Sequence, residues 1–289
     1  MPISVRISLF LFFLLINTLV YAAPIRILAA ENFYAQVAQE IGGDRVQISS
    51  ILNNPNQDPH LFTANPSIAI LIKNADIIVY NGIGYDAWME RLIDALGSQR
   101  QSILIISALL GKKNGDNPHI WYDPTTMLIY AHTLCQQLIR KDPQNAGFYT
   151  QRLQKFTDNY QSLRTMIRNF KQKHLNLPVI ATEPVFNYMA NALGMRMYGS
   201  AFQISVMNGI EPSPRQIQAF IEAMRTQVKL LLYNQQVSSP LTQAMEQLAR
   251  KNAIAISAVS ETLPPHTSYL NWMKEQLIQI DQALHDNTH

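Results

Sequence analysis

Residues 144–174 read QNAGFYTQRLQKFTDNYQSLRTMIRNFKQKH, and this stretch decides the architecture. Tyr149, Leu153, Phe156, Tyr160, Leu163, Ile167 and Phe170 recur at steps of three or four, which lines them along one face of an α-helix. No Gly or Pro interrupts 148–175, so the helix can run about 40 Å at ~1.5 Å per residue. On either side the pattern changes to short apolar runs separated by amphipathic segments. Before it, 25–30, 46–51, 76–80 and 103–106 read as strands; after it, 179–181, 202–207, 229–233 and 253–259 do. Strands alternating with short helices specify a mainly parallel sheet. The expectation is therefore an α/β protein of two lobes, each with a mainly parallel sheet flanked by helices, joined by one long linking helix. The boundaries are 23–143 for the first lobe, 144–174 for the helix and 175–289 for the second lobe. A chain of 289 residues suits two cores of about 100–150 residues each.

Local punctuation agrees with that division. Asn32, Asp86, the Asp123-Pro124 pair, and Thr267 or Ser268 stand where helices begin and read as N-terminal caps. Gly82-Ile83-Gly84 lacks the third glycine and the following helix of a dinucleotide loop. Its glycines serve a tight turn after a strand.

Composition narrows the class. Hydrophobic residues make up 47% and charged residues 15%, as in a well-buried globular protein rather than a disordered one. The net charge of +3, from 23 basic and 20 acidic residues, is too weak and too evenly spread for nucleic-acid binding. Residues 1–22 read as a cleaved signal peptide: Arg6 is a short positive region, 7–20 is almost wholly apolar, and Ala22 is a small residue at the cut. The apolar run is too short for a membrane span of about 20 residues. No cysteine lies near the cut to carry a lipid, which implies a non-lipidated periplasmic protein. Cys135 is the only cysteine, so an intramolecular disulfide is excluded, and Leu134, Leu138 and Ile139 put its thiol on a buried helix face. Trp88, Trp121 and Trp272 read as anchors of the core or of the lobe interface.

Four short stretches carry the chemistry. Gln57-Asp58-Pro59-His60 and Asn117-Pro118-His119-Ile120-Trp121 each place a histidine directly after a proline. Proline stiffens its own backbone and that of the residue before it, and neutral imidazole is the commonest protein metal ligand. Glu183, in Ala181-Thr182-Glu183-Pro184, and Glu261, in Ser260-Glu261-Thr262-Leu263-Pro264-Pro265, each follow an apolar run that reads as a buried strand. Ligands of open α/β sheets sit beyond the carboxyl ends of the strands. His60 and His119 from the first lobe and Glu183 and Glu261 from the second are thus expected to face each other and hold one divalent transition-metal ion. The four stand about 60 to 80 positions apart, unlike sequence-local zinc motifs. Each alone has a plain structural alternative, a capping histidine or a solvated glutamate; the repeated context favours a shared site. Glu211 is the carboxylate that would replace Glu261 if the strand register were shifted. Asp123 could orient an imidazole from behind. His266 is placed at a helix start, His285 and His289 on a frayed tail, and His132 and His174 on helices without special roles. Mixed N/O donors without thiolate fit zinc, manganese or ferrous iron. Two-oxygen carboxylates would favour manganese, and one-oxygen tetrahedral binding zinc.

These stretches, together with Asn81-Gly82-Ile83-Gly84-Tyr85-Asp86-Ala87-Trp88, the extension of the second to Tyr122-Asp123-Pro124, Thr182-Glu183-Pro184-Val185-Phe186-Asn187-Tyr188, and Tyr269 with Trp272-Met273, run in one order through nearly the whole mature chain. In that order they resemble the zinc/manganese-binding family of ABC-transporter substrate-binding proteins. The resemblance implies a long linking helix, small lobe movement, and Mn2+ or Zn2+ carried as transported ligand. It implies delivery to a membrane permease driven by a cytoplasmic ATPase, by a monomer without catalytic activity. Many members are lipoproteins, and this chain departs from them. Zinc-specific members often carry a His- and acid-rich loop before the second histidine and a histidine at the third position. Here the loop is only Gly111-Lys112-Lys113-Asn114-Gly115-Asp116 and the third position is Glu183, which tilts the expectation towards manganese. Two rival readings stay open: a secreted zinc-dependent hydrolase with Glu261 as general base, for which no His-Glu-x-x-His segment is present, and an adhesion-type surface binding protein.

Overall fold

The computed structural model describes residues 23–55, 59, 62–97 and 101–286. The expected signal peptide, His60 and His289 lie outside the described residues. The first lobe runs β1 (Ile25–Glu31), α1 (Asn32–Gly42), β2 (Val46–Leu52), α2 (Ser67–Asn74), β3 (Ile77–Tyr80), α3 (Ala87–Leu96), β4 (Ser102–Ile105), α4 (Ile106–Leu109) and α5 (Thr126–Lys141). One helix, α6 (Ala146–Lys173), follows. The second lobe runs β5 (Pro178–Ala181), α7 (Asn187–Ala192), β6 (Arg196–Tyr198), α8 (Ser200–Met207), α9 (Pro214–Thr226), β7 (Leu230–Asn234), α10 (Pro240–Lys251), β8 (Ala255–Val259) and α11 (Tyr269–Asp286).

Both sheets are parallel, in the orders β2-β1-β3-β4 and β6-β5-β7-β8. The two orders are the same. Strands such as Ile77–Tyr80 are buried along their whole length, as helix-covered parallel strands must be. In each sheet the connections diverge on either side of one strand, β1 or β5. That is the switch point where a crevice opens at the carboxyl ends.

The apolar stripe of α6 is buried as its spacing requires, through Tyr149, Phe156, Tyr160, Leu163, Ile167 and Phe170. The helix packs on α1, α5 and α11, so it touches both lobes. A single hydrophobic core passes from one lobe into the other. Phe33 lies against Trp121 at 4.8 Å between ring centroids. Across the lobe boundary Tyr122 meets Phe186 at 5.2 Å and Trp272 at 5.7 Å. Polar ties cross the same boundary: Asn32 Nδ2 donates to Leu263 O at 2.8 Å and Tyr269 Oη to Trp121 O at 2.6 Å.

Several local expectations are corrected. Residues 202–207 form not a strand but most of α8, and the second-lobe edge strand is Arg196–Tyr198. A short apolar run has no period that separates strand from helix. Here Gly199 turns the chain at φ +74°, Gln203 Nε2 donates to Tyr198 O at 2.7 Å, and Phe202 docks on Phe220 at 4.2 Å. Asn32 does not cap α1; it opens the helix and spends its amide on Leu263. Asp86 stands at the cap position of α3, yet its carboxylate reaches back to accept from Asn81 N at 2.6 Å and Gly82 N at 2.8 Å. Asp123 accepts from Thr125 N and Oγ1, closing the turn before α5. Ser268 does cap α11, accepting from Asn271 N at 3.2 Å. Cys135 is buried, and so are all three tryptophans. Gly82 and Gly84 take φ of +82° and +85°. A Cβ at Gly82 would strike Ser107 Oγ and come within 2.8 Å of Ile105 Cγ2.

Candidate metal site

Both sheets aim their carboxyl ends at one gap. Glu183 follows β5 in extended backbone, and Pro184 then starts a short turn of 3-10 helix that aims its side chain inward. Glu261 follows β8 two residues on. His119 sits where the chain turns after Pro118, just before the 3-10 turn Ile120–Tyr122. All three are buried, at 0% exposure for His119 and Glu261 and 3% for Glu183. Ionisable side chains reach such depth when they are paired or bound to an ion.

The pairing is specific. His119 Nε2 stands 3.2 Å from Glu261 Oε2, and His119 Nδ1 stands 2.7 Å from Asn117 Oδ1. Asn117 Nδ2 donates to Pro184 O at 2.7 Å, and Asn117 Oδ1 accepts the His119 backbone N–H at 3.0 Å. Those two bonds fix which end of the amide is oxygen. Nδ1 therefore carries a proton, and Nε2 is left facing the Glu261 carboxylate, its hydrogen-bond partner and, with the imidazole protonated, its ion-pair partner. A metal ion that displaces the proton between them would find an imidazole nitrogen and a carboxylate oxygen already side by side.

On the other side Asn234, the last residue of β7, donates through Nδ2 to Glu183 Oε2 and to Glu261 Oε1, each at 2.6 Å. Its own orientation is set by Gln236 N, which donates to Asn234 Oδ1 at 3.1 Å, and by Thr182 Oγ1, which accepts Asn234 N–H at 3.2 Å. From the first lobe Asn81 Nδ2 donates to Pro118 O at 2.9 Å and Tyr34 Oη to Asn81 Oδ1 at 2.7 Å, which steadies the backbone carrying His119. Tyr85 and Trp121 wall the imidazole, at 6.0 and 5.2 Å between centroids. Burial pushes the Tyr85 hydroxyl well above its usual range, and the charge of Glu261 adds to it.

A second acidic pair lies in the floor of the first lobe. Glu31, the last residue of β1, is 0% exposed. Burial, then the charge of Asp86, raises its carboxyl well above the usual range. Burial likewise pushes Asp86 up to about 6. The Asp86 carboxylate holds the Asn81-Gly82 turn, while neither oxygen of Glu31 makes a hydrogen bond.

Three of the four expected ligands therefore approach one gap; the fourth, His60, lies outside the described residues. Among the described residues no three His, Cys, Asp or Glu side chains close on a single point: His119 and Glu261 touch, and Glu183 joins them through the Asn234 amide. Glu211 is exposed, so the acid beside His119 is Glu261. The residue behind the imidazole is Asn117, not Asp123. His266 is exposed at φ +60° in the loop before α11. His174 and His285 both bond to Asp281, and His285 is held in place rather than frayed. Sequence reasoning missed Asn117, Asn234, Asn81 and Glu31. Glu31 ends an apolar strand as Glu183 and Glu261 nearly do, so the same cue would have found it. Asn81 and Asn234 are likewise polar residues closing buried strands.

A cleft of about 390 Å³ adjoins the site, lined by Tyr85, Asn117, Pro118, Pro184, Asn187 and Gln203 among others. The paired-lobe α/β scaffold thus buries its ionisable groups at the junction of the lobes, beside an open cleft. The family model for the zinc-uptake complex component A, periplasmic, matches residues 27–283, and the chain belongs to that family of ABC-transporter substrate-binding proteins. The manganese ABC transporter substrate-binding lipoprotein PsaA of Streptococcus mitis is 28% identical over 312 residues, covering 96% of this chain and 98% of the relative. The metal ABC transporter substrate-binding lipoprotein FimA of Streptococcus parasanguinis is 26% identical, over 91% and 90% of the two chains. Among solved structures, the periplasmic zinc-binding protein TroA from Treponema pallidum superposes with a TM-score of 0.76 at 18% identity, over 91% of this chain and 99% of that one. FpvC of Pseudomonas aeruginosa in complex with Mn2+ gives 0.74 at 19% identity, over 91% and 99%. The resemblance expected from the motifs is thus confirmed at the level of family and fold.

Proposed function

We propose that this protein captures a divalent transition-metal ion, Zn2+ or Mn2+, between its lobes and delivers it to the membrane permease of an ABC importer with its cytoplasmic ATPase. The ligands in this reading are His60, His119, Glu183 and Glu261. The observation that carries it is the opposition of His119 Nε2 and Glu261 Oε2 at 3.2 Å while Nδ1 is committed to Asn117. With Nδ1 donating to Asn117, Nε2 is the nitrogen left to ligate a metal, which would take the place of the proton that joins the pair in its absence. The hydrolase alternative needs Glu261 held off the metal as a base, whereas its carboxylate stands beside the imidazole. The mature protein begins near Ala23, is not lipidated and works as a monomer in the periplasm. Its lobes span 23–143 and 175–289 around the helix at 144–174.

Chelator-stripped protein titrated with zinc and with manganese tests the proposal. One ion per chain is expected, with binding lost in His119→Ala, Glu261→Ala and His60→Ala. Retention of full affinity in His119→Ala would end the assignment.

A further inference from the structure

We infer that His174, Asp281 and His285 form a second divalent-cation site, outside the cleft, where the end of the linking helix meets α11, and that it takes an imidazole-seeking ion of the zinc class. The inference does not rest on capture at the cleft, with which this site shares no residue.

The three side chains come from two elements. His174 closes α6 as its C-terminal cap, with its ring packed on Phe170 at 4.6 Å between centroids. Asp281 and His285 stand four residues apart on α11, so they share a face one turn apart. His174 Nε2 lies 2.7 Å from Asp281 Oδ1. The His285 tautomer is fixed from both sides of the ring. Nδ1 lies 2.7 Å from the Asp281 backbone O, which only accepts, so Nδ1 carries the hydrogen. Nε2 lies 3.1 Å from the Lys173 ammonium, which only donates, so Nε2 offers a lone pair. An imidazole whose other nitrogen is tied to a backbone carbonyl is the usual form of a metal-ligating histidine.

A positive centre already occupies the seat. Lys173 Nζ lies 2.8 Å from Asp281 Oδ1, 3.0 Å from Asp281 Oδ2 and 3.1 Å from His285 Nε2. Acceptor atoms of two side chains thus converge on one cation. With the ammonium between them, His174, Asp281 and His285 do not themselves close on a single point. A zinc ion draws its ligands in to about 2.0–2.2 Å, and it recruits His174 by displacing the proton that joins its Nε2 to Asp281. Lys173 has room to leave, since its side chain is 47% exposed and borders an open groove of about 590 Å³. Two imidazoles and one carboxylate suit zinc, nickel or copper(II) rather than manganese, which prefers oxygen. An ion seated there would clip the end of α6 to α11. It would bind less tightly than one at a buried site, because the ammonium competes for the same atoms.

Zinc titrated into chelator-stripped protein is expected to bind in two steps, the tight equivalent of the cleft and then a weaker one. The second step should vanish in His285→Ala while the first is unchanged. Lys173→Ala gives the sharper test. Freed of its rival, the second zinc should bind about two- to fivefold more tightly, the worth of the exposed ion pair given up. An ion pair with a purely structural role would leave that affinity as it was. Both substituted side chains are exposed, at 57% and 47%, so neither variant disturbs the core. A single step in both the wild type and Lys173→Ala, a second step that survives His285→Ala, or one that Lys173→Ala fails to tighten would overturn the inference and leave the cleft reading untouched. Loss of the first step alone, with the second retained and removed by His285→Ala, would support this site and count against the cleft.

Discussion

At the scale of single residues, the site is governed as much by neutral amides as by charged ligands. Asn117 fixes the His119 tautomer and ties the two lobes through Pro184. Asn117→Ala should weaken zinc binding about 10- to 100-fold with little change in the far-ultraviolet spectrum; competition against a chelator of known affinity measures it, and unaltered binding would count against the tautomer argument. Proton uptake by the histidines should weaken metal binding below about pH 6. An affinity that stays level from about pH 7 to 5 would contradict imidazole ligation. Glu31 gives a separate prediction about folding. Its carboxyl and that of Asp86 are raised, by burial first, above their ordinary values of 4.5 and 3.8. Groups raised in the folded state add stability that is complete below the unfolded values and is lost as pH climbs through the folded ones, about 6 for Asp86. The wild type should therefore lose stability from acid to neutral pH through this pair. Glu31→Gln keeps the size of the side chain and removes its titration, so its melting temperature should exceed the wild type's at neutral pH and match it in acid. Parallel melting curves at all pH values would show that burial of Glu31 does not perturb its titration. The histidines and glutamates were legible because proline or a strand end flags them. Amide roles were not, since which end of an Asn faces a ligand depends on partners far away in the chain.

At the scale of elements, strand ends do the positioning. Glu31, Asn81 and Asn234 end or directly follow central strands, and Glu183 and Glu261 stand two residues beyond β5 and β8. Registers of β1 with β3 and of β5 with β7 thus decide which groups meet. All the strands but one were readable, because a helix-covered parallel strand must be apolar throughout. The exception, 202–207, is just as apolar but forms α8; its helicity is imposed by Gly199 and by contact with α9, neither visible in the run itself. The turn after β3 carries its own test. Gly82→Ala adds a Cβ against Ser107 and Ile105 at positive φ, so it should cost more than about 1 kcal/mol in urea unfolding. It should also loosen metal binding, because the displaced turn holds Asn81 against Pro118. A neutral substitution would mean that the turn relaxes freely.

At the scale of the molecule, two sheets of the same strand order share one core. The linking helix was plain from its spacing, whereas the continuity of the core was not. Phe33 and Tyr122 meet Phe186 and Trp272 only because the lobes close face to face. Separating them would expose large aromatic surfaces and break the bonds of Asn32 to Leu263 and Tyr269 to Trp121. Small-angle scattering should therefore give nearly the same radius of gyration with and without metal, and a marked contraction on loading would refute a fixed lobe angle.

The helix that spans the back of both lobes has a consequence for unloading. A container braced along its spine cannot tip out its contents by swinging wide. Discharge has to begin at the front, with the His119 segment or the turn around Asn117 and Pro184 being prised from its neighbours. The importer would then tell a laden carrier from a spent one by the local set of those few loops, while the silhouette stays the same throughout the cycle.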